Sequence, residues 1–390
     1  MKTSSRTLLG TILSMSLLTV MAGAAIAPAM GIIRQYFVAE PVVKVQLIVS
    51  IPALFIILTN LCFLPLSRVF RTRTIAIAGL VLYVAAGAGC FFASRIGVIL
   101  ALRALLGVSV GLIMPLSTGL LAYYYPPEQQ ARLMGLSAAM NQMGGVVATL
   151  LAGILAAIEW HGAFLVYLFG LIALVLVVRY LPNEQLRADT KRGKPFAPRQ
   201  LLKYHPSVVG MWLLTVVLFV YPTHFALIAS QTTVYSTTQI TLIMVGLDLV
   251  AFFVGIFFGQ LMKAMRLQIK YIAPLTMIAG YALLSSVASL SGIVAGSALI
   301  GIAYGVGVPY LLTIGSIKSG KNAATTVMPL LSASLYLGQF LTPFVVAWMA
   351  RMGFEAGDLF APYKVAVVLS AVLLAQVYLT RRYQSLPPAE

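Results

Sequence analysis

Acidic side chains are scarce in this sequence. Only nine of its 390 residues are Asp or Glu, against 26 Lys and Arg, which leaves a formal net charge of +17 and 9% charged residues. Soluble domains carry about 25% charged residues. Because 61% of the chain is hydrophobic and its mean hydropathy is +0.98, one globular core cannot bury the apolar surface. A soluble fold and a disordered chain are both excluded.

Cysteine and histidine are also rare. The few that occur are spread along the chain without the spacing of metal ligands: Cys62, Cys90, His161, His205 and His224. No glycine-rich loop is followed by the Lys-Ser/Thr pair that holds nucleotide phosphates. The sequence therefore predicts no metal, no cofactor and no enzymatic activity.

Long apolar runs fill most of the chain. A membrane-spanning helix needs about 20 mostly apolar residues, and twelve runs are long enough. They cover residues 8–31, 46–66, 75–94, 97–121, 132–157, 163–181, 207–230, 239–262, 271–290, 292–316, 323–350 and 363–380. None alternates with the period of two that barrel strands show. The predicted fold class is an all-α membrane protein with twelve transmembrane helices.

Lysine and arginine are unevenly distributed among the gaps between these runs. With the N-terminus in the cytoplasm, 20 of the 26 basic residues fall in inner segments and five in outer ones. This bias follows the positive-inside rule, so we expect both chain ends on the cytoplasmic side of the inner membrane. Since the basic residues do not form one surface patch, membrane orientation explains them better than nucleic-acid binding.

The first apolar run also imitates a signal peptide. Lys2 and Arg6 precede it, and it ends near Ala25-Ile26-Ala27, a small-residue pattern that resembles a cleavage site. The run is longer than the apolar region of about 7–15 residues found in secretory signals. We therefore interpret it as the first spanning helix.

A polar gap divides the chain into two halves that repeat each other. Residues 182–206 contain charges of both signs together with Pro182, Pro195 and Pro198, which is typical of a linker. We therefore predict six-helix bundles over 1–181 and 207–390 joined by a cytoplasmic linker. A shift of 194 residues superimposes Pro28 on Pro222, Gly107 on Gly301, Gly111 on Gly305, Pro115 on Pro309 and Gly144 on Gly338. Parallel repeats of this kind build transporters with a site near the bilayer midplane.

The repeated glycines and prolines have a physical use. Glycines on one helix face let a neighbouring backbone approach closely. A proline inside a helix frees a carbonyl, which is tolerated only where protein or a cavity satisfies it. Bent helices at matched positions favour a cavity wall, and ordinary tight packing is the alternative.

Asp248 is the only acidic residue inside a predicted span. It lies about nine residues from the outer end, near mid-depth at roughly 1.5 Å per residue. Because a charge is costly there, its carboxyl group can take a proton in one access state and release it in the other. We predict a role in proton coupling; a structural Asp that is hydrogen-bonded to a neighbouring helix is the alternative.

Further polar residues within the spans are candidates for proton coupling or for lining a substrate cavity. His224 titrates near neutrality and could share the proton, while tyrosines offer an aromatic body with a polar tip. The predicted cavity residues are Tyr221, Tyr304, Tyr310 and Asn141. For each of them the alternative is a hydrogen-bonded or packing side chain.

Six short motifs follow one another along the chain. They are Ala27-Pro28-Ala29-Met30; Val45-Gln46-Leu47 with Ser50; Leu64-Pro65-Leu66-Ser67 followed by Arg68, Arg71 and Arg73; Arg103-x3-Gly107-x3-Gly111; Trp160-His161-Gly162-Ala163-Phe164; and Leu337-Gly338-Gln339-Phe340-Leu341-Thr342-Pro343. Together they resemble the major facilitator superfamily, and within it the twelve-helix drug:proton antiporter branch.

The resemblance implies roles for particular residues. Arg103 is expected to face the cavity and take part in coupling, with snorkelling to the outer surface as the alternative. The gating motifs are expected to include Pro65, Ser67, Arg68, Arg71, Pro115, Pro309, Gly338 and Pro343 together with the repeated glycines. Arg68 stands where the family carries an Asp, and an arginine faces a positive helix end unfavourably. We therefore expect the inner gate to close by packing alone or through another partner of Arg68.

These observations predict a secondary-active transporter that works by alternating access. The predicted cavity helices carry no acid, which suits a small amphipathic or weakly anionic organic molecule, and proton-coupled export is the leading mode. Its partners are the substrate, protons and membrane lipids, with no nucleic acid, and we expect a monomer. Uptake or facilitated diffusion of a small metabolite and lipid or glycolipid flipping are the alternatives. A linker of about 25 residues is too short for the output domain of a non-transporting sensor.

Overall fold

The protein is helical throughout the residues that the computed structural model describes. These are residues 5–125, 127–184, 204–231, 235–265, 268–286, 289–355 and 357–380, and no strand occurs within them. The α-helices are α1 (Ser5–Ala24), α2 (Met30–Tyr36), α3 (Val42–Val69), α4 (Thr72–Gly89), α5 (Ile96–Tyr124), α6 (Pro127–Ile158), α7 (Gly170–Tyr180), α8 (His205–Gln231), α9 (Thr237–Met265), α10 (Ile269–Ser286), α11 (Leu290–Gly353) and α12 (Ala361–Leu379).

Most of these helices are long and apolar enough to cross a membrane. Eleven stretches in the described part of the chain meet that condition, and α10, a helix of 18 residues, occupies the position of the ninth predicted span. The predicted all-α membrane fold is confirmed. Most of the predicted linker, residues 185–203, lies outside the described residues.

Two predicted spans are interrupted rather than continuous. The first contains α1, a 3-10 turn over Ala27–Ala29 and α2, because Pro28 has no N–H to continue the helical ladder. The sixth begins as a 3-10 helix over Trp160–Phe169 and becomes α-helical at Gly170. The sequence predicted the position of both spans, but not these changes in winding.

Helix α11 contains both the tenth and the eleventh predicted spans. Its backbone stays helical across the predicted gap at 317–322, where no proline is present to end a helix. A Cβ placed on Gly315 would overlap the Leu331 side chain, although 16 residues of straight helix extend roughly 24 Å. The helical run therefore bends sharply between these two residues, so that Gly315 and Leu331 come into contact.

The chain divides into two compact units. The first contains Met1–Thr190 and Ala229–Leu242, and the second contains Lys191–Ile228 and Ile243–Glu390. The short segment assigned to the first unit includes Thr241, whose side chain fills the space that a Cβ on Gly153 of α6 would need. The predicted bundle boundaries at 181 and 207 remain predictions.

The same glycine contact recurs in both units. In the first unit, a Cβ on Gly107 of α5 would lie 2.8 Å from Pro52 Cα of α3. In the second, a Cβ on Gly301 of α11 would lie 2.7 Å from the Leu247 carbonyl oxygen of α9. The two glycines are related by the shift of 194 residues and their partners by a shift of 195, so each glycine brings two backbones together at nearly matching positions.

The next glycines along these two helices repeat the pattern. A Cβ on Gly111 would lie 3.1 Å from the Ile56 carbonyl oxygen, and one on Gly305 would lie 2.8 Å from the Ala251 carbonyl oxygen. Gly338 of α11 packs in the same way against α8, where its Cβ would lie 3.0 Å from the Trp212 carbonyl oxygen. Each unit is thus held by helix pairs in backbone contact.

Candidate functional site

A proline in the middle of α8 defines the centre of the candidate site in the second unit. Pro222 has no N–H, so the carbonyl of Leu218, four residues earlier, lacks its helical donor. The Tyr304 hydroxyl of α11 donates to that carbonyl over 3.1 Å. We call residues 218–222 the Pro222 turn. A side chain from another helix thus replaces the hydrogen bond that the proline removes.

Three more tyrosines lie in or beside the Pro222 turn. Tyr221, Tyr281 and Tyr363 are buried, and the rings of the last two lie 6.0 Å apart. The Tyr221 hydroxyl lies 2.8 Å from the Ser297 hydroxyl of α11. We call these three residues and Tyr304 the tyrosine cluster. It brings phenols from α8, α10, α11 and α12 to one place.

The hydroxyl of Tyr281 also bonds to α8. It donates to the Val217 carbonyl over 2.7 Å, next to the carbonyl that Tyr304 reaches. Unlike Leu218, Val217 has a residue with an N–H, Tyr221, four positions later. The two neighbouring carbonyls therefore differ: one has only the phenol in place of its helical donor, and the other has both.

Asp248 lies at the edge of the tyrosine cluster. It is half-buried on α9 and close enough to Tyr304 and Tyr221 to interact electrostatically with both. The glycine contacts fix this proximity, because Gly301 meets the carbonyl of the residue before Asp248 and Gly305 meets the next turn of α9. The arrangement brings one carboxyl group and two phenols together, and a phenol can donate a hydrogen bond to an ionised carboxyl group.

The other predicted polar residue of α8 points back to its own helix. His224 is 5% exposed, and its Nδ1 lies 2.8 Å from the Thr223 hydroxyl and 3.2 Å from the Val220 carbonyl oxygen. These contacts fix the orientation of the imidazole ring. Such contacts are typical of a hydrogen-bonded core histidine, which was the alternative to a role of His224 in proton coupling.

Tyr310 lies apart from the tyrosine cluster, further along α11. It is 5% exposed and lines a cavity of about 20 Å³ together with Lys270 and Gln376. Small-molecule sites measure roughly 300–1,000 Å³. This cavity alone is therefore far too small for the predicted substrate.

Arg103 forms the polar centre of the first unit. Its side chain is fully buried, so it does not snorkel. Its Nε donates to the Ile48 carbonyl of α3 over 2.6 Å. The residue four positions after Ile48 is Pro52, which has no N–H to offer. Arg103 thus satisfies a carbonyl that a proline has left without its helical donor, as Tyr304 does in the second unit.

The same guanidinium group also binds the end of α1. Its Nη2 donates to the Ala22 carbonyl over 2.9 Å, and its Nη1 donates to the Tyr167 hydroxyl. Tyr167 in turn donates to the Ala22 carbonyl over 3.0 Å. Because α1 ends at Ala24, the carbonyls of its last turn need donors from elsewhere. Arg103 and Tyr167 together supply them and join four segments of the unit.

Asn141 is held by a neighbouring helix rather than left open. Its Oδ1 accepts a hydrogen bond from the Thr19 hydroxyl of α1 over 2.9 Å. Asn141 is half-buried, and this bond joins α6 to α1. A hydrogen-bonded side chain of this kind was the alternative to a cavity-lining role for Asn141.

The gating motif covers the last turns of α3, which carry Pro65, Ser67 and Arg68, and Arg71 immediately before α4. Ser67 is buried and Arg71 is exposed, while the side chains of Pro65 and Arg68 lie outside the described part of the chain. The N–H of Thr72, which opens α4, donates to the Glu184 carbonyl over 3.1 Å. The Glu184 carboxylate accepts a bond from the Tyr124 hydroxyl at 3.3 Å. The start of the linker segment is thereby tied to two helix ends.

Burial raises the pKa of Tyr124 well above its usual value, and the nearby Glu184 carboxylate raises it further. The phenol at this helix end therefore stays protonated and remains a donor to Glu184 far above neutral pH.

Sequence reasoning missed this contact, as it missed Tyr167, Tyr281 and Ser297. The sequence indicated only that Pro52 and Pro222 each leave the carbonyl four residues earlier without its helical donor. This predicts that another donor is needed, but not which residue supplies it.

Two repeated helical units with polar groups buried inside them are typical of multi-pass membrane transporters. The family comparison agrees with this class. The chain belongs to the Major Facilitator Superfamily, whose model matches residues 12–384. The resemblance drawn from the sequence motifs is confirmed.

Similar proteins extend this result. The chain is 25% identical over 117 residues to Multidrug resistance protein 3 of Bacillus subtilis (strain 168), covering 30% of this chain and 23% of that protein. It is also 25% identical over 122 residues to Multidrug transporter protein MdtP of the same organism, covering 31% and 23%. The chain thus matches about a quarter of the length of each relative.

The fold is also found in solved structures. One is a bacterial homologue of the human lysosomal transporter Spinster in an inward-facing, occupied conformation, with a TM-score of 0.79, 16% identity and 98% of each chain covered. At this identity the likeness shows the fold alone. With the family match, the protein is a multi-pass membrane protein of a transporter family, as the sequence predicted.

Proposed function

We propose that this protein exports a small amphipathic organic molecule across the inner membrane, coupled to inward movement of protons by alternating access of its two units. The family is one of membrane transporters. The matched relatives bear multidrug names, which supports export over uptake. Their bacterial source supports the inner membrane, and the basic bias of the inner segments supports cytoplasmic chain ends.

One observation carries the proton coupling. Asp248 is the only acidic residue in the predicted spans, and it lies half-buried beside the tyrosine cluster. A carboxyl group in a low-dielectric site binds a proton more readily than one in water, and nearby phenols can stabilise its ionised form by hydrogen bonding. This combination lets the group load a proton on one side of the membrane and release it on the other.

Arg103 supports this function from the first unit. Each of its three guanidinium nitrogens donates one bond, two to carbonyls and one to a phenol, which suits a residue that holds the broken first span in place. We propose that it acts on coupling through the position of that span. His224, held by its own helix, is the second titratable candidate in the second unit.

Transport by purified protein in liposomes tests the proposal. Two probes of opposite charge, radiolabelled taurocholate and ethidium, are offered to inside-out proteoliposomes with an acidic lumen. We expect at least one probe to accumulate against its gradient while protons leave the lumen. The variant Asp248→Asn should lose this accumulation but keep exchange of the probe between the two sides.

Glu159→Gln provides the matched control, because Glu159 is an exposed acid outside the spans. It should accumulate the probe like the wild type. Probe movement that only follows its own gradient would favour facilitated diffusion instead. Accumulation that persists in Asp248→Asn would remove Asp248 from the coupling step.

A further inference from the structure

The hydroxyl of Tyr304 has two acceptors with different chemistry in its neighbourhood. One is the Leu218 carbonyl, to which it donates in this structure. The other is the carboxyl group of Asp248, which lies on the stretch of α9 that Gly301 and Gly305, on either side of Tyr304 in α11, bring into backbone contact. We propose that Tyr304 is a positioning residue whose hydroxyl binds the Leu218 carbonyl when Asp248 is protonated and the Asp248 carboxylate when it is ionised. This inference rests on the proposed role of Asp248 as the proton site.

The bond to Leu218 is of a kind that a carboxylate can replace. Its O···O distance of 3.1 Å is longer than the usual O–H···O distance of about 2.7–2.8 Å. A bond to an ionised acceptor is roughly twice as strong as one to a neutral carbonyl. Once Asp248 loses its proton, its carboxylate therefore becomes the better acceptor for the Tyr304 hydroxyl.

The other phenols of the cluster are less free to move. The Tyr221 hydroxyl is paired with Ser297 at 2.8 Å, and the Tyr281 hydroxyl donates to Val217 at 2.7 Å. Tyr221 of α8 and Tyr304 of α11 both interact electrostatically with Asp248, and the ring of Tyr363 lies 6.0 Å from that of Tyr281. Of the two phenols next to Asp248, Tyr304 has the longer and weaker bond.

Departure of the hydroxyl has a consequence for α8. Pro222 offers no N–H, so the Leu218 carbonyl then has lost its cross-helix donor and has no helical one. A buried carbonyl without a donor is unfavourable, and α8 must relieve it by bending at the Pro222 turn or by admitting water. The proton on Asp248 would thus set the shape of α8, which is the link between protonation and conformation that alternating access requires.

The titration of Asp248 itself tests this inference. Infrared difference spectra of the purified protein are recorded over a pH series, and subtraction of the Asp248→Asn spectra isolates the carboxyl band of Asp248. In Tyr304→Phe the carboxylate loses a hydrogen-bond donor, so we expect the midpoint pH of this band to rise by about one unit. Tyr281→Phe is the matched control, because it removes a hydroxyl bonded to the adjacent carbonyl, and it should leave the midpoint unchanged.

The variant Pro222→Ala distinguishes an effect of Tyr304 on the protonation of Asp248 from an effect on protein stability alone. The alanine restores an N–H for Leu218, so Tyr304 is free to bind the carboxylate and the midpoint pH should fall below that of the wild type. In Pro222→Ala/Tyr304→Phe, thermal stability should recover relative to Tyr304→Phe, while the midpoint stays raised. A purely structural Tyr304 would instead leave the midpoint where it is in every variant.

The outcomes distinguish this inference from the proposed function. Equal midpoints in Tyr304→Phe and Tyr281→Phe, with pH-driven transport still dependent on Asp248, would overturn the inference alone. A carboxyl band that does not titrate, or transport that is indifferent to Asp248→Asn, would overturn the proton site and this inference with it. Should Pro222→Ala fail to fold, the comparison of the two tyrosine variants still decides the question.

Discussion

Arg103 supplies the hydrogen bond that Pro52 cannot. The guanidinium Nε lies 2.6 Å from the carbonyl oxygen of Ile48, the residue whose helical donor would come from position 52. On the same helix as Arg103, one turn further on, Gly107 lets the backbone of Pro52 approach closely. The arginine and glycine of the Arg103-x3-Gly107 motif thus act on one proline of the neighbouring helix, which gives their four-residue spacing a physical reason.

This relationship predicts a specific compensation. Arg103→Met leaves a buried carbonyl without a donor, so we expect the free energy of unfolding to fall by about 2 kcal/mol. In Arg103→Met/Pro52→Ala the alanine N–H takes over the carbonyl, and about half of the loss should return. Unfolding by sodium dodecyl sulfate, followed by circular dichroism, measures both effects.

The control for Arg103 is Arg95→Met, since Arg95 is exposed and its removal should change the unfolding free energy by less than about 0.5 kcal/mol. If Pro52→Ala fails to improve Arg103→Met, the arginine does not act through that carbonyl. A stable double variant that still loses pH-driven transport would assign Arg103 the coupling role that the motif implies.

A second prediction concerns the glycines that join neighbouring helices. A Cβ on Gly107 would lie 2.8 Å from Pro52 Cα, and one on Gly301 would lie 2.7 Å from the Leu247 carbonyl oxygen. Backbone atoms cannot yield as a side chain can, so Gly107→Ala and Gly301→Ala should each destabilise the protein by about 1–3 kcal/mol. The same detergent unfolding assay gives these values.

Gly97 offers the matched control on the helix that carries Gly107. In the described structure no atom of a neighbouring helix lies within 4 Å of a Cβ at this position. Gly97→Ala should therefore be neutral or stabilise α5 by up to about 1 kcal/mol through helix propensity. Equal destabilisation by Gly97→Ala and Gly107→Ala would show that loss of glycine itself, and not the close approach, is responsible.

The repeated glycines also show how far the sequence alone could predict the site. Apolar runs of sufficient length indicated the spans, and the spacing of Gly301 and Gly305 indicated a close helix contact, because both are local patterns. Which residue meets Gly301 was not predictable, since it depends on the register of α9 against α11. Asp248 was recognised as a rare buried acid, but its neighbour Tyr304 lies 56 residues away in the chain.

Arg103 shows the same limit. Its burial was one of two alternatives, but its partners Ile48 and Tyr167 lie 55 and 64 residues from it. A hydrogen bond between such distant residues leaves no periodic signal in one sequence. The winding change at Trp160–Phe169 was missed for a different reason, because hydropathy does not distinguish a 3-10 helix from an α-helix.

A third prediction follows from the raised pKa of Tyr124, caused first by burial and then by the Glu184 carboxylate. A folded-state pKa above the unfolded value of about 10 means that the folded protein holds this proton more tightly. The associated stability is fully present below pH 10 and is lost as the pH rises towards the folded-state pKa. Tyr124→Phe should therefore remove part of the decline in stability above pH 10.

Thermal unfolding between pH 8 and pH 12 measures this difference between Tyr124→Phe and the wild type. Glu184→Gln keeps the burial of the phenol but removes the carboxylate, so the pKa of Tyr124 is raised less. The decline in stability above pH 10 should therefore be smaller than in the wild type but larger than in Tyr124→Phe. Tyr123→Phe is the control, because Tyr123 is an exposed neighbour on the same helix. Identical pH curves for the wild type and Tyr124→Phe would contradict the assignment.

The last prediction tests the sharp bend within α11. Gly315 packs against the Leu331 side chain, although a straight helix would separate these residues by roughly 24 Å. With Cys62 and Cys90 replaced by serine, the pair Gly315→Cys/Leu331→Cys should be joined by a short thiol crosslinker within one molecule, as seen by mass spectrometry of the digested protein. The pair Leu299→Cys/Gly315→Cys has the same separation in sequence but lies within one span, so it should not be joined. Crosslinking of neither pair would mean that the two spans of α11 do not pack as the contact between Gly315 and Leu331 requires, and the paired arrangement of the tenth and eleventh spans would have to be abandoned.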